Sequence, residues 1–190
     1  MGKVIFEMSM SLDGFVTAAG VSPEDGLGVG GERLHEWNAD PESMALLERT
    51  IQRTGAIIVG RTTYDLSLPF WGPNGPTGEE QVPVFVLTHR GSPPPPADGV
   101  YTLVTDGVDS VVRQAKAAAE DKDIAVSGGE AAGHLFQAGH MDEMWIHVVP
   151  VLFGDGTRLY EQPGVDHIEL ELVKATPRPM VTHLHYRVQK

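Results

Sequence analysis

The chain reads as an α/β domain: a mixed, mostly parallel central sheet, helices on both of its faces, and antiparallel strands at its C-terminal end. Three observations predict this. Short apolar runs alternate with helix-patterned segments from Lys3 to about residue 138. Several of these runs end at a glycine or hydroxyl corner that opens the next segment, as in "VGRTTYD" (59–65) and "VSGGEAA" (126–132). From Met144 onward the helix pattern stops and three long strand-like runs follow one another. Alternation of this kind requires parallel strands joined by crossover helices. Strands in direct succession pair antiparallel.

The elements follow in order. Lys3–Met10 is apolar-rich and predicts a buried strand; "SLDG" (11–14) turns the chain, and Phe15–Ala18 extends it. Residues 19–36 are glycine-rich and irregular, the composition of a long lid-type loop. Asp40-Pro41 is a helix start, a capping residue followed by proline at the first helical position. That helix runs to about Thr54, with Met44, Leu47 and Ile51 on one face. "AIIVG" (56–60) is a short buried strand, and "RTTYDLSL" (61–68) a short helix stopped near Pro69. A second Gly/Pro loop spans 71–83, followed by the strand "VFVLT" (84–88) and the stiff turn "SPPPPADG" (92–99). "VYTLV" (100–104) is a strand and 108–120 an alanine-rich helix. Residues 123–127 and 130–138 are the next strand and helix. Met144–Leu152, His167–Lys174 and Val181–Val188 are the terminal strands. No internal repeat or linker divides the sequence, so residues 1–190 are expected to form one domain.

Composition narrows the function. With 41% hydrophobic and 21% charged residues, the 190-residue chain has the balance of a soluble globular domain. No run approaches the ~20 apolar residues of a membrane span. The N-terminal stretch lacks a signal-peptide pattern, which sets the expectation of a cytoplasmic protein. There is no cysteine, hence no thiolate zinc site and no cysteine nucleophile. A formal charge of −12 disfavours nucleic acid and anionic membranes as partners. It also means that any anion site must be a local concentration of donors.

Three corners qualify. In open α/β sheets, ligands sit beyond the carboxyl ends of the strands, where helix starts present unpaired N–H groups. "GRTTYD" (60–65) offers Gly60, a guanidinium at Arg61 and the hydroxyls of Thr62 and Thr63. These suit a phosphate clamp, or else a helix cap beside a solvated arginine. "THR" (88–90) places Thr88, His89 and Arg90 at a strand end, as a second phosphate site or an ordinary polar turn. "SGGE" (127–130) lets backbone approach a ligand because neither glycine has a Cβ. It is neither G-x-G-x-x-G nor a P-loop, and alone it is a plain turn.

Taken together with "MSLDGFVTA" (10–18) and "DEMWIHVVPVLFGDGTRLY" (142–160), these stretches resemble the dihydrofolate reductase-like family. The resemblance is greatest to the reductase domain of the bifunctional riboflavin-biosynthesis deaminase-reductase, and it covers nearly the whole chain. It implies NADPH as cofactor. It assigns Gly60, Arg61, Thr62 and Thr63 to the pyrophosphate and 2′-phosphate region, and Thr88, His89 and Arg90 to the adenosine 2′-phosphate. Ser127, Gly128, Gly129, Glu130, Ala131 and Ala132 would line the nicotinamide ribose and pyrophosphate. Ser9 and Val16 would flank the nicotinamide, and Asp65 stands near the family's carboxylate and is the catalytic candidate. The pterin-binding carboxylate of dihydrofolate reductase has no clear counterpart, although Glu32, Glu36 and Asp40 lie nearby, which argues against folate. No deaminase zinc motif is present, so a stand-alone reductase-like domain is implied.

Other features compete. Trp37, Phe70 and Trp71 sit in or beside loops, where they wall an aromatic substrate or close the core. Asp13 in "SLDG" reads as a residue capping its own turn, and "GDG" (154–156) as a hairpin turn. His183 and His185 share a strand face, on what reads as a solvent-facing edge strand; no third ligand is placed, so no metal is expected. The function expected is an NADPH-dependent reductase delivering hydride to a C=N or C=O carbon of a small heterocycle or ribityl-type compound. The alternative is a non-catalytic nucleotide-binding module acting as sensor or scaffold. The long apolar C-terminal strands predict a homodimer.

Overall fold

The computed structural model describes residues 2–91, 93–159 and 167–190. Within these residues, eight strands form one sheet: β1 (Val4–Ser11), β2 (Thr54–Gly60), β3 (Val84–Leu87), β4 (Tyr101–Val104), β5 (Asp123–Ser127), β6 (Glu143–Val149), β7 (Leu170–Arg178) and β8 (Val181–Val188). Their spatial order is β4-β3-β2-β5-β1-β6-β8-β7. β1 to β6 are all parallel, whereas β8 runs antiparallel to β6 and β7 to β8. Among the described residues, four α-helices complete the frame: α1 (Pro41–Arg53), α2 (Arg61–Trp71), α3 (Val108–Ala119) and α4 (Gly129–Gln137). Among the described residues, no helix is long and apolar enough to cross a membrane.

The period-2 alternation of the strands divides the core. Phe6, Ile58, Phe85, Ile124 and Val126 point to the face covered by α3 and α4, through Val111, Ala115 and Leu135. Ile57, Val59, Val84 and Val86 point to the opposite face, where Tyr64 of α2 and Tyr101 meet them. Phe6 and Ile58 are fully buried, each contributing about 1.5–3 kcal/mol. A third cluster, Leu34, Trp37, Val149 and Val181, lies further along the sheet.

Five expectations need correction. Residues 31–39, expected to be mostly loop, form a 3-10 helix, because Leu34 and Trp37 fall on one side of its three-residue turn and both are buried. α2 does not stop at Pro69 but runs on to Trp71. Tyr64, Leu68 and Trp71 share one helix face and pack on the second cluster, which outweighs the lost hydrogen bond of the proline. β7 continues through Pro177 to Arg178 because it is the sheet edge, where a missing N–H is tolerated. β8 is therefore interior rather than an edge, and His183 is 1% exposed. β6 stops at Val149, before Pro150, and Val151 N–H turns back onto the Val149 carbonyl.

Candidate cofactor and active site

The three corners converge at the carboxyl ends of β2, β3 and β5. α2 begins immediately after Gly60 and α4 immediately after Gly128, and neither start has a side-chain cap. α1 differs: Asp40 caps it by accepting from Ser43 N–H at 3.0 Å. Uncapped starts leave N–H groups and partial positive charge directed at the corner. The corners also touch. Arg61 Nη1 donates to the Arg90 carbonyl at 3.3 Å. A Cβ on Gly60 would lie 3.5 Å from the Ala131 methyl. Gly128, at φ +91°, backs so closely onto Thr63 that a Cβ would overlap Thr63 Oγ1. Only glycine fits there, on both backbone and steric grounds.

The structure thus brings Gly60, Arg61, Thr63, Arg90, Gly128 and Ala131 together, with Thr62 at the exposed start of α2. Thr88 is buried and fixes its own turn, exchanging hydrogen bonds with Arg90 N–H and carbonyl at 3.0 and 3.2 Å. His89 and Arg90 are exposed at the mouth. Ser127 ends β5 half-buried, and Glu130 is exposed on the first turn of α4. Ala132 faces inward: its methyl belongs to the main core, and its N–H bonds the Gly128 carbonyl at 3.1 Å. Gly129 lies under Leu159, whose carbonyl would be 2.8 Å from a Cβ there.

Ser9 is buried on β1 and accepts from Trp37 Nε1 at 3.1 Å. Val16 is held by its N–H to the Thr157 carbonyl at 2.8 Å. Trp37, at 3% exposure, is packed into the third cluster, whereas Phe70 is 64% exposed. Phe70 lies beside the 19–30 loop at Gly26. Trp71 is half-buried against the second cluster. Asp65 has a half-exposed side chain and accepts with both oxygens from Arg61 Nε, at 2.9 and 2.8 Å. Asp13 does more than cap its own turn. It accepts from Ser11 Oγ, and from the N–H groups of Phe153 and Gly154 across the chain. The Ser11 hydroxyl and these amides bring its pKa down to about 2.

A buried polar chain went unrecognised in the sequence. Arg178 donates to both Asp40 oxygens at 3.0 Å. Ser43 Oγ donates to Asp40 at 2.7 Å and meets His183 Nε2 at 3.0 Å. His183 Nδ1 meets His147 Nδ1 at 2.9 Å, and His147 Nε2 meets Glu7 Oε1 at 3.0 Å. Trp37 covers both imidazoles, at ring-centroid distances of 4.8 and 5.2 Å. Burial, then the neighbouring His147, push the His183 pKa down to about 4. Hydrogen bonds from Arg178 hold the Asp40 carboxyl well below its usual range. The available signal was period-2 placement: Glu7 with Ser9, and His183 with His185, in otherwise apolar strands. His185 instead stacks on Trp145 and bonds Glu143 at 3.0 Å.

The sheet order and glycine corners define a domain of the dihydrofolate reductase-like class. Within that class, the chain belongs to the RibD C-terminal domain family, which it matches over residues 2–184. Among solved structures it is similar to a protein from Shewanella sp. PV-4 ascribed to riboflavin biosynthesis (22% identity, all of both chains, TM-score 0.74). It is also similar to the diaminohydroxyphosphoribosylaminopyrimidine deaminase/5-amino-6-(5-phosphoribosylamino)uracil reductase of Thermotoga maritima. There the identity is 15% and the TM-score 0.69, with 99% of this chain aligned to 57% of that one. Dihydrofolate reductase from Enterococcus faecalis, complexed with NADP(H), aligns over 100% of this chain and 98% of its own (12% identity, TM-score 0.62). At these identities the likeness establishes the fold. No curated protein matches the chain.

Proposed function

We propose that the chain is an NADPH-dependent reductase that reduces a C=N or C=O group of a small heterocycle or ribityl-type compound. The observation carrying this reading is the meeting of two uncapped helix starts, α2 and α4, at glycine corners that also hold Arg61 and Arg90. The donor set suits the cofactor: the helix-start N–H groups and the Arg61 guanidinium are the donors a pyrophosphate takes, and Gly128, packed directly on Thr63, draws the start of α4 against α2. The N–H groups at the helix starts and Arg61 would hold the pyrophosphate, and Thr88, His89 and Arg90 the 2′-phosphate. Ser9 and Val16 would border the nicotinamide. When bound, the dinucleotide supplies the hydride; the protein orients it and excludes water.

Asp65 belongs to this machinery through its grip on Arg61. Asp65→Asn separates two roles. A ~10²-fold loss of turnover with NADPH affinity held assigns it the proton. A loss of NADPH affinity assigns it the positioning of Arg61.

NADPH should bind more tightly than NADH by about 1.5–3 kcal/mol, the scale of charge-assisted hydrogen bonds. Arg90→Ala should weaken NADPH and leave NADH unchanged; equal affinities in the wild type would exclude the assignment. The first test of activity is loss of the dihydronicotinamide absorbance with 5-amino-6-(5-phosphoribosylamino)uracil, the compound in the Thermotoga enzyme's name. Tight NADPH binding with no turnover of any imine or carbonyl would favour the sensor or scaffold alternative. We further propose a cytoplasmic homodimer joined along β7, which exposes Leu170, Leu172 and Val173 at the sheet edge. Light scattering at micromolar concentration decides this, and Leu172→Lys should yield monomer.

A further inference from the structure

The buried chain from Arg178 to Glu7 has a direction. Asp40, gripped by Arg178, only accepts, so the Ser43 hydroxyl points to it. The Ser43 oxygen then accepts from His183 Nε2–H. Burial keeps His183 neutral, so its Nδ1 is bare and accepts from His147 Nδ1–H. His147 Nε2 faces Glu7 Oε1 at 3.0 Å. A neutral imidazole and an ionised carboxylate would there present two acceptors to each other. One proton must sit between them, on Glu7 or on His147.

We propose that this proton, held between Glu7 Oε1 and His147 Nε2, is the one given to the substrate, with Glu7 as donor and His147 as the positioning residue. The proposal rests on the reductase reading. Its support is geometric. His147 is 3% exposed and sealed by Trp37, whereas the Glu7 side chain is 20% exposed. Glu7 lines a groove of about 470 Å³ between the sheet and α1, floored by Ile5, Ala125 and Trp145. Ser9, the expected neighbour of the nicotinamide, pairs with His147 across β1 and β6. It is two residues beyond Glu7 on the same face, roughly 6.6 Å along the strand.

The step balances. As hydride reaches the electrophilic carbon, the C=N or C=O π bond breaks toward the heteroatom, which takes the Glu7 proton. Water in the groove then returns a proton to the Glu7–His147 pair. The charged and titratable groups facing the pair are Asp40 and Arg178 beyond His183, and His35 on the 3-10 helix. Lys3, Glu143 and His185 lie along the groove beside Glu7.

Two measurements test this. NMR of the free protein with isotope-labelled histidine should show His183 as the Nε2–H tautomer and Nδ1 of His147 protonated; the opposite tautomer of His183 overturns the proton site. Glu7→Gln keeps the shape but has no acid proton. With NADPH and 5-amino-6-(5-phosphoribosylamino)uracil, it should lower kcat at least ~10²-fold and leave NADPH affinity within twofold. Glu7→Asp, which keeps an acid proton but changes the length of the side chain, should restore part of the rate, which a purely structural role would not do. Glu7→Gln turning over at the wild-type rate overturns the donor role. A wild type that turns over neither this pyrimidine nor any other imine or carbonyl overturns the reductase reading and the use of the proton with it; the NMR pattern then decides the proton site alone.

Discussion

The two halves of the sheet are built on different principles. In β3-β2-β5 the strand interiors are apolar on both faces, and polarity is confined to the strand ends, where α2 and α4 begin uncapped. In β1-β6-β8 the polarity lies within the strands: Glu7, Ser9, Glu143, His147, His183 and His185 share one face. On the first side the backbone is left unfinished, as a ligand site requires. On the second, among the described residues, no buried side-chain polar atom lacks a hydrogen-bond partner. One half offers N–H groups to an anion; the other stores a proton in a closed network.

The sharpest break between the halves is predicted under acid. His183 titrates at about 4 in the folded chain and near 6.5 when unfolded. As pH falls below 6.5, the unfolded chain takes the proton first. Its contribution to stability is therefore complete above pH 6.5 and is lost as pH falls toward 4, by up to about 3 kcal/mol. Urea unfolding across that range measures it, and His183→Gln should flatten the slope. A wild-type midpoint that does not move relative to this variant would place His183 outside the buried network.

Next in size is Gly128→Ala. Its positive φ and the overlap with Thr63 should cost about 1–3 kcal/mol and abolish NADPH binding, read by urea unfolding and fluorescence titration. Thr63→Ala in the same chain should recover part of the stability but not the affinity. The smallest effect is expected of Asp65→Asn on folding. Its pair with Arg61 is a half-exposed i,i+4 contact, so stability should change by less than ~0.5 kcal/mol, measured by the same unfolding curves.

The same contrast explains what the sequence disclosed. Backbone sites announce themselves, because Gly128 and Gly129 are chosen for what they lack. The corners and five of the six parallel strands were accordingly placed within one or two residues, and β6 was only overrun past Pro150. Side-chain networks in mid-strand do not. Glu7, His147 and His183 lie 140 and 36 residues apart in turn, and nothing local marks them as partners. The edge position of β7, which moved His183 from surface to interior, is likewise a property of strand order. Pro69 misled because helix propensity is weak beside the packing of Tyr64 and Trp71. Asp13 was placed in its turn correctly, but its partners at Phe153 and Gly154 were out of local reach.

The position of β1 has a consequence for how the chain is made. Its two neighbours, β5 and β6, begin at Asp123 and Glu143. On the ribosome, the first strand to emerge cannot pair until some 120 residues later. At ~5–20 residues per second, it waits for roughly 6–25 seconds as an apolar segment with both edges bare. Over that interval "VIFEMSM" is the part of the nascent chain most in need of a chaperone. A slowed ribosome between residues 11 and 123 would prolong its exposure, lowering the yield of folded protein without altering any contact in the finished molecule.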